Sequence, residues 1–266
     1  MRLPSMALTL CAVALLAACA APAPAAPGAP GGGPRTASDQ TDADRRASIR
    51  MELAALHYNQ GEFETALDQI KLALAAKPDL GAAFSLRGLV YASMGEDALA
   101  EDSFARALQI NPRDANTLHN RAWFLCQRDR FAPADALFEQ ALAIPQYRDA
   151  QRTYLAQGIC DTRAGKLEEA ERKLSRAYEL DPSNPTTASN LADVLYRRGE
   201  YVRARFYIGR VNQREDQSNA QTLWLALRVE NRLGNRSKVD ELGRQLRNRF
   251  PQAPQTLAYD RGRLDE

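Results

Sequence analysis

The chain has 266 residues, of which 45% are hydrophobic but only 7% aromatic, and a formal net charge of +2. That balance allows one sizeable elongated core and offers no bulk electrostatic case for nucleic acid. Plentiful Ala, Leu and Arg favour helix, and the local arginine runs are interspersed with Asp and Glu as on solvated helix faces.

In chain order, the first element is an apolar run after Arg2, from Met6 to Ala17. It is too short for a spanning helix, which needs ~20 apolar residues, and suits the core of a secretory leader. Leu16-Ala17-Ala18-Cys19 closes it and resembles the lipobox at which bacteria cleave and lipidate a secreted chain. The expectation is a signal peptide over 1–18, lipidation of Cys19, and retention at a membrane through two or more acyl chains. Ala20 stands where lipoproteins kept in the inner membrane usually carry Asp, so the expected location is the outer membrane, on its periplasmic face. Residues 19–41 are the lipidated cysteine and an Ala/Pro/Gly tether that cannot bury a core. Ordinary secretion, with cleavage at a nearby Ala-x-Ala site, is the competing reading.

From residue 42 onward the chain repeats itself. Gly61, Gly95, Gly165, Gly199 and Gly234 each end an apolar-periodic segment, Asp129 takes the same place in the third copy, and the spacing is 34 to 36 residues. Each of the first five of these turn positions in chain order is followed by a small residue (Ala66, Ala100, Ala134, Ala170, Ala204) and then a large apolar one (Ile70, Phe104, Phe138, Leu174, Ile208), and Gly234 by the β-branched Val239. Pro78, Pro112, Pro182 and Pro251 close the units. A period of about 34 residues is that of the tetratricopeptide repeat, two antiparallel helices with a glycine at the turn. The predicted fold is therefore all-α: a superhelix of about six helix pairs over 42–266, with repeats near 47–80, 81–114, 115–148, 151–184, 185–218 and 220–253. A C-terminal cap follows, in which Leu257, Tyr259 and Leu264 are expected to cover the open end. Gly243 takes the place of the large residue in the sixth unit.

In such an array the first helix of each pair lines a concave face. The positions expected there include Met51, Tyr58, Leu89, His119, Trp123, Leu155, Tyr196 and Trp224, with arginines more frequent in the second half. A groove that is apolar and rimmed by polar groups suits a partner helix or an extended peptide. Trp123 and Trp224 fit equally well as packing between first helices, and Tyr58 and Tyr196 fit better as side chains turned inward.

Four cysteines remain to be placed. Cys11 leaves with the leader and Cys19 is consumed by lipid, so Cys126 and Cys160, on adjacent first helices, either pair in an oxidising compartment or stay as two buried thiols. Catalytic or metal chemistry is thinly represented. His57 and His119 are the only histidines, neither has a Cys or acid at ligand spacing, and no nucleophile elbow or phosphate loop occurs. The expectation is a binding protein with no enzymatic activity, no cofactor, no metal and no small-molecule substrate, acting as a monomer.

Two stretches go beyond the generic repeat: Asn120-Arg121-Ala122-Trp123-Phe124-Leu125-Cys126, and Phe138 to Pro145 followed by Gly158-Ile159-Cys160. With the lipobox, the six repeats and Arg249-Phe250-Pro251, the chain resembles the type IV pilus biogenesis and stability lipoprotein family. That resemblance implies a pilotin, which binds secretin subunits and promotes their outer-membrane localisation and assembly into the pore used by the pilus. Its partners would be the secretin and, through the lipid, the membrane. Asn120-Arg121-Ala122 departs from the Asn-Tyr-Gly expected before that tryptophan. A scaffold for cell-wall enzymes is the alternative from another functional class. A co-chaperone reading carboxyl-terminal peptides fails because Met51 and Ala55 stand where Lys and Asn would be needed.

Overall fold

The computed structural model describes residues 41–264. The leader, Cys19 and the tether up to residue 40 lie outside the described residues. Thr41, assigned by sequence to the tether, instead opens the folded unit. Its hydroxyl accepts from the Asp44 backbone N–H and the Asp44 carboxylate accepts from the Thr41 N–H, a reciprocal cap that starts the first helix.

Thirteen helices and no strands occur among the described residues. They form six antiparallel pairs: α1 (Asp42–Asn59) with α2 (Phe63–Ala76), α3 (Gly81–Met94) with α4 (Asp97–Ile110), α5 (Ala115–Gln127) with α6 (Phe131–Leu142), α7 (Ala150–Arg163) with α8 (Leu167–Leu180), α9 (Pro185–Arg197) with α10 (Tyr201–Asn212), and α11 (Ala220–Arg232) with α12 (Arg236–Arg249). The short α13 (Pro254–Asp260) packs on α11 and α12. Each odd-numbered helix touches the next odd one, from α1·α3 to α9·α11, whereas the even helices touch only the odd helices on either side of them. The odd helices therefore form one continuous layer and the even helices an outer layer.

The turn inside each pair sits in the left-handed region, with φ between 74° and 81° at Gly61, Gly95, Gly165, Gly199 and Gly234. Glycine meets that conformation without a Cβ penalty. The third unit makes the same turn with Asp129 at φ 57°, the one non-glycine residue with positive φ among those described, and its carboxylate accepts from the Arg163 guanidinium at 2.8 Å. Asp114, Asn184 and Asn219 cap α5, α9 and α11 by accepting from backbone N–H groups of the first turn.

Packing follows the alternation of small and large residues. Ala66, Ala100, Ala134, Ala170 and Ala204 are fully buried, and so, one turn on, are Ile70, Phe104, Phe138, Leu174 and Ile208. In the second and fourth units the large side chain enters where the facing odd helix has a glycine; the first, third and fifth units have Ala54, Ala122 and Ala192 at the same place in the repeat. A Cβ on Gly88 would lie 2.7 Å from Phe104 Cε1, and one on Gly158 would lie 2.6 Å from Leu174 Cγ. At the sixth unit the relation reverses. Gly243 on α12 makes room for the Tyr259 ring of α13, so the residue missing from α12 is supplied by the cap. Tyr259 and Leu264 pack on the terminal core, but Leu257 is 48% exposed, which corrects the expectation that it covers the open end. It falls on the outer side of a seven-residue helix that has only one face against the array.

The joint between the third and fourth units is longer than the 77–80 and 111–114 joints, running over residues 143–149. A disulfide between Cys126 of α5 and Cys160 of α7 crosses it, with the Cα atoms 5.8 Å apart.

Candidate partner-binding face

Met51, Leu89, Trp123 and Leu155 are partly buried hydrophobics at the edge of the core clusters of the first four units. Tyr58 lies at a similar depth, with its hydroxyl 3.4 Å from Ser93 Oγ on the neighbouring odd helix. Nearby, Asn120 donates to Ser85 at 3.3 Å and accepts from Arg152 at 3.1 Å, a polar ladder across α3, α5 and α7. This half of the odd-helix layer is laced between neighbours and is more polar than its sequence suggested.

Two expected residues are not offered to a partner. His119 is 4% exposed, because it points between α5 and α7: its Nδ1 is 2.8 Å from Thr153 Oγ1 and its ring stands edge-on to Phe138 at 5.8 Å. Burial, with Arg152 adding to it, pushes its pKa down to about 3, so the ring is neutral. Tyr196 is 7% exposed because the Arg228 guanidinium covers its ring at 4.6 Å and Tyr201 packs beside it.

Beyond Tyr196 the layer opens into a cleft of about 430 Å³ between α9 and α11. Ser189 and Asp193 of α9 face Trp224 and Arg228 of α11, and Gln255 of α13 closes one end. Asp193 is bound by Arg197 one turn on, Nε to Oδ2 at 2.8 Å. Burial raises the Asp193 pKa, against the pull of Arg197 and Arg228. Asn190 and Gln221 line the same cleft, and the Asn190 amide donates to the Thr186 carbonyl at 2.8 Å. Alternating amide, hydroxyl and carboxylate groups beside an indole match an extended peptide, whose backbone presents one donor and one acceptor per residue. Trp224 is the cleft residue expected from the repeat register, and Ser189, Asp193 and Arg228 lie on the same two first helices. Asn190 lies one residue off that register, and Gln255 belongs to a cap with no periodic signal. Among the described residues no group of three His, Cys, Asp or Glu side chains is placed to hold a metal ion.

Family models described as tetratricopeptide repeat match residues 51–115, 115–144 and 162–226. The chain is a tetratricopeptide-repeat protein. Among proteins of known role, this tetratricopeptide-repeat chain is 28% identical over 210 residues to the type IV pilus assembly protein PilF of Pseudomonas aeruginosa, a match covering 79% of this chain and 82% of that one. The crystal structure of PilW, described as a widely conserved type IV pilus biogenesis factor, is similar at 29% identity and a TM-score of 0.74, covering 80% of this chain and 97% of PilW. The P. aeruginosa PilF structure shares the fold at 24% identity and a TM-score of 0.74, covering 84% of this chain and all of that one.

Proposed function

We propose that this protein is an outer-membrane lipoprotein pilotin, which binds secretin subunits and promotes their localisation and multimerisation for type IV pilus biogenesis. The observation that carries this reading is similarity to pilus assembly and biogenesis factors along about four-fifths of the chain and most of each relative. A local domain match would align only a few repeats. The odd-helix layer, with its cleft between α9 and α11, is the face that holds a secretin segment. The protein works by binding alone. A secretin monomer exposes surfaces destined for subunit contacts, and covering one of them delays assembly until the lipid on Cys19 has delivered the pair to the outer membrane.

Deletion in the source organism tests this. The expected result is loss of surface pili, with secretin multimers depleted and monomers retained, restored by the parent gene and not by a Cys19→Ser gene. Normal secretin multimers in the deletion strain would reject it. Crosslinking from a photoreactive residue at position 224 is expected to recover the secretin, and recovery of cell-wall enzymes instead would favour the scaffold reading.

A further inference from the structure

The outer layer changes character along the array. Helices α2, α4, α6 and α8 each carry more acidic than basic residues, whereas α10 carries Arg203, Arg205 and Arg210 with no acid, and α12 has bases in excess of Asp240 and Glu241. On that basic stretch stand the two most exposed large apolar side chains among the described residues, Val202 at 62% and Phe206 at 56%. They are four residues apart on α10, hence on one face, opposite the buried Ala204, Ile208 and Val211. Arg203 is occupied by Glu171 and Glu200, but Arg205 and Arg210 have no acidic partner among the described residues, and Arg210 lies 5.8 Å from the Phe206 ring. On the same helix a recess of about 240 Å³ is lined by Arg205, Gly209, Gln213 and Lys238, the last paired with Glu241, with Glu230 tied to the Asn235 amide. It stays open because nothing lies within 4 Å of where a Gly209 Cβ would be.

We infer that this outer face of α10 rests on an anionic phospholipid surface, with Phe206 and Val202 entering the headgroup region and Arg205 and Arg210 meeting the phosphates. A protruding apolar pair flanked by long cations suits a soft interface, because arginine stems lie along apolar surface while their heads stay among polar groups. Val202 and Phe206 stand on the exposed surface of the helix, and the cleft suited to a peptide lies in the other layer. That a membrane is at hand rests on the lipid-anchor reading. The roughly twenty residues between Cys19 and Thr41 reach at most ~70 Å. Helix pairs stacked ~10 Å apart put the fifth unit about 40 Å from the first, within that reach. The contact would lay the array along the membrane with the cleft facing away from it.

The test is flotation with vesicles, using the chain from Ala20 onward, which lacks both the leader and Cys19 but keeps every described helix. Vesicles of phosphatidylcholine with one-quarter phosphatidylglycerol are compared with pure phosphatidylcholine. The expected result is binding to the anionic vesicles only, weakened by salt. Phe206→Ser with Arg205→Gln and Arg210→Gln should reduce it about 100-fold, near fivefold for each arginine and about fourfold for withdrawing the ring from the headgroup region. Leu72→Ser with Leu99→Ser, on α2 and α4, should leave it unchanged. All these side chains are solvent-facing, and matching circular dichroism confirms that each variant folds. No binding by the parent, equal binding by the triple variant, or capture by soluble polyglutamate with no vesicle binding would overturn the proposal, the last by assigning the face to an acidic polypeptide. Because no lipid anchor and no secretin enter the assay, its failure leaves the pilotin reading standing.

Discussion

Replacing Gly158 by Ala isolates the close approach that packs α7 against α8. The new Cβ would sit 2.6 Å from Leu174 Cγ, 3.0 Å from its Cδ2 and 3.2 Å from its backbone nitrogen, against an ordinary carbon contact of about 3.5–4.0 Å. Leu174 is fully buried, and with backbone among the obstructing atoms α8 itself must move. Overpacking costs about 1–3 kcal/mol, and with backbone obstructing the site the upper part of that range, about 2–3 kcal/mol, applies, while exchanging Gly for Ala inside a helix returns about 1 kcal/mol. The net expectation is a loss of about 1–2 kcal/mol. Gly209 on α10 is the matched control, since a Cβ there meets nothing within 4 Å and only the helix gain remains, about 0.5–1 kcal/mol of stabilisation. Urea unfolding followed by circular dichroism at 222 nm, compared at equal m-value, reads both changes. The same substitution should move the midpoint in opposite directions at the two sites. If Gly158→Ala proved as stable as the parent, the close-approach account of this helix pair would be wrong.

Asp129→Gly should stabilise by up to about 1 kcal/mol, because the left-handed turn no longer carries a Cβ and the solvent-facing pair with Arg163 is worth little; a lower thermal midpoint would refute this. Asp161 is 5% exposed, and its pKa is raised to about 6 by burial and by the Asp135 carboxylate. The folded state therefore holds a proton that the unfolded chain releases near pH 4, and stability falls as pH rises from about 4 to 6. Asp161→Asn should gain about 1–3 kcal/mol at pH 7 and nothing at pH 4. His119 has the opposite sign. Its pKa is held near 3 against about 6.5 unfolded, so stability falls as pH drops from 6.5 towards 3, and His119→Gln should flatten that slope whatever it costs in packing. Reducing Cys126–Cys160, which closes a loop with a sequence separation of 34, should cost ~3 to 4 kcal/mol under the chain-entropy model. Two free thiols in the denatured, unreduced mature protein would show that the bond is absent there.

The helix pairs were legible because their cause is local. A left-handed turn wants glycine, a close crossing wants alanine, and both recur at a fixed period, so even Asp129 announces its turn by position. Exposure was less legible. His119 and Tyr196 occupy positions that face inward in an isolated unit, but the neighbouring first helix supplies Thr153 to one and Arg228 to the other, and each is drawn under cover. Repeat register places a side chain on a face without saying how bulky the next unit is. The end of the array shows the same limit, since the exchange of bulk between Gly243 and Tyr259 is invisible until α13 is seen folded against α12.

Arrays held together by nearest neighbours fray from their ends. Here a covalent rivet from α5 to α7 spans the long 143–149 joint in the middle of the array, so an opening that starts at α1 or at α13 meets a stop before it crosses to the other half. Each half can then loosen and re-form while the other stays shut, and only an oxidising compartment sets that rivet.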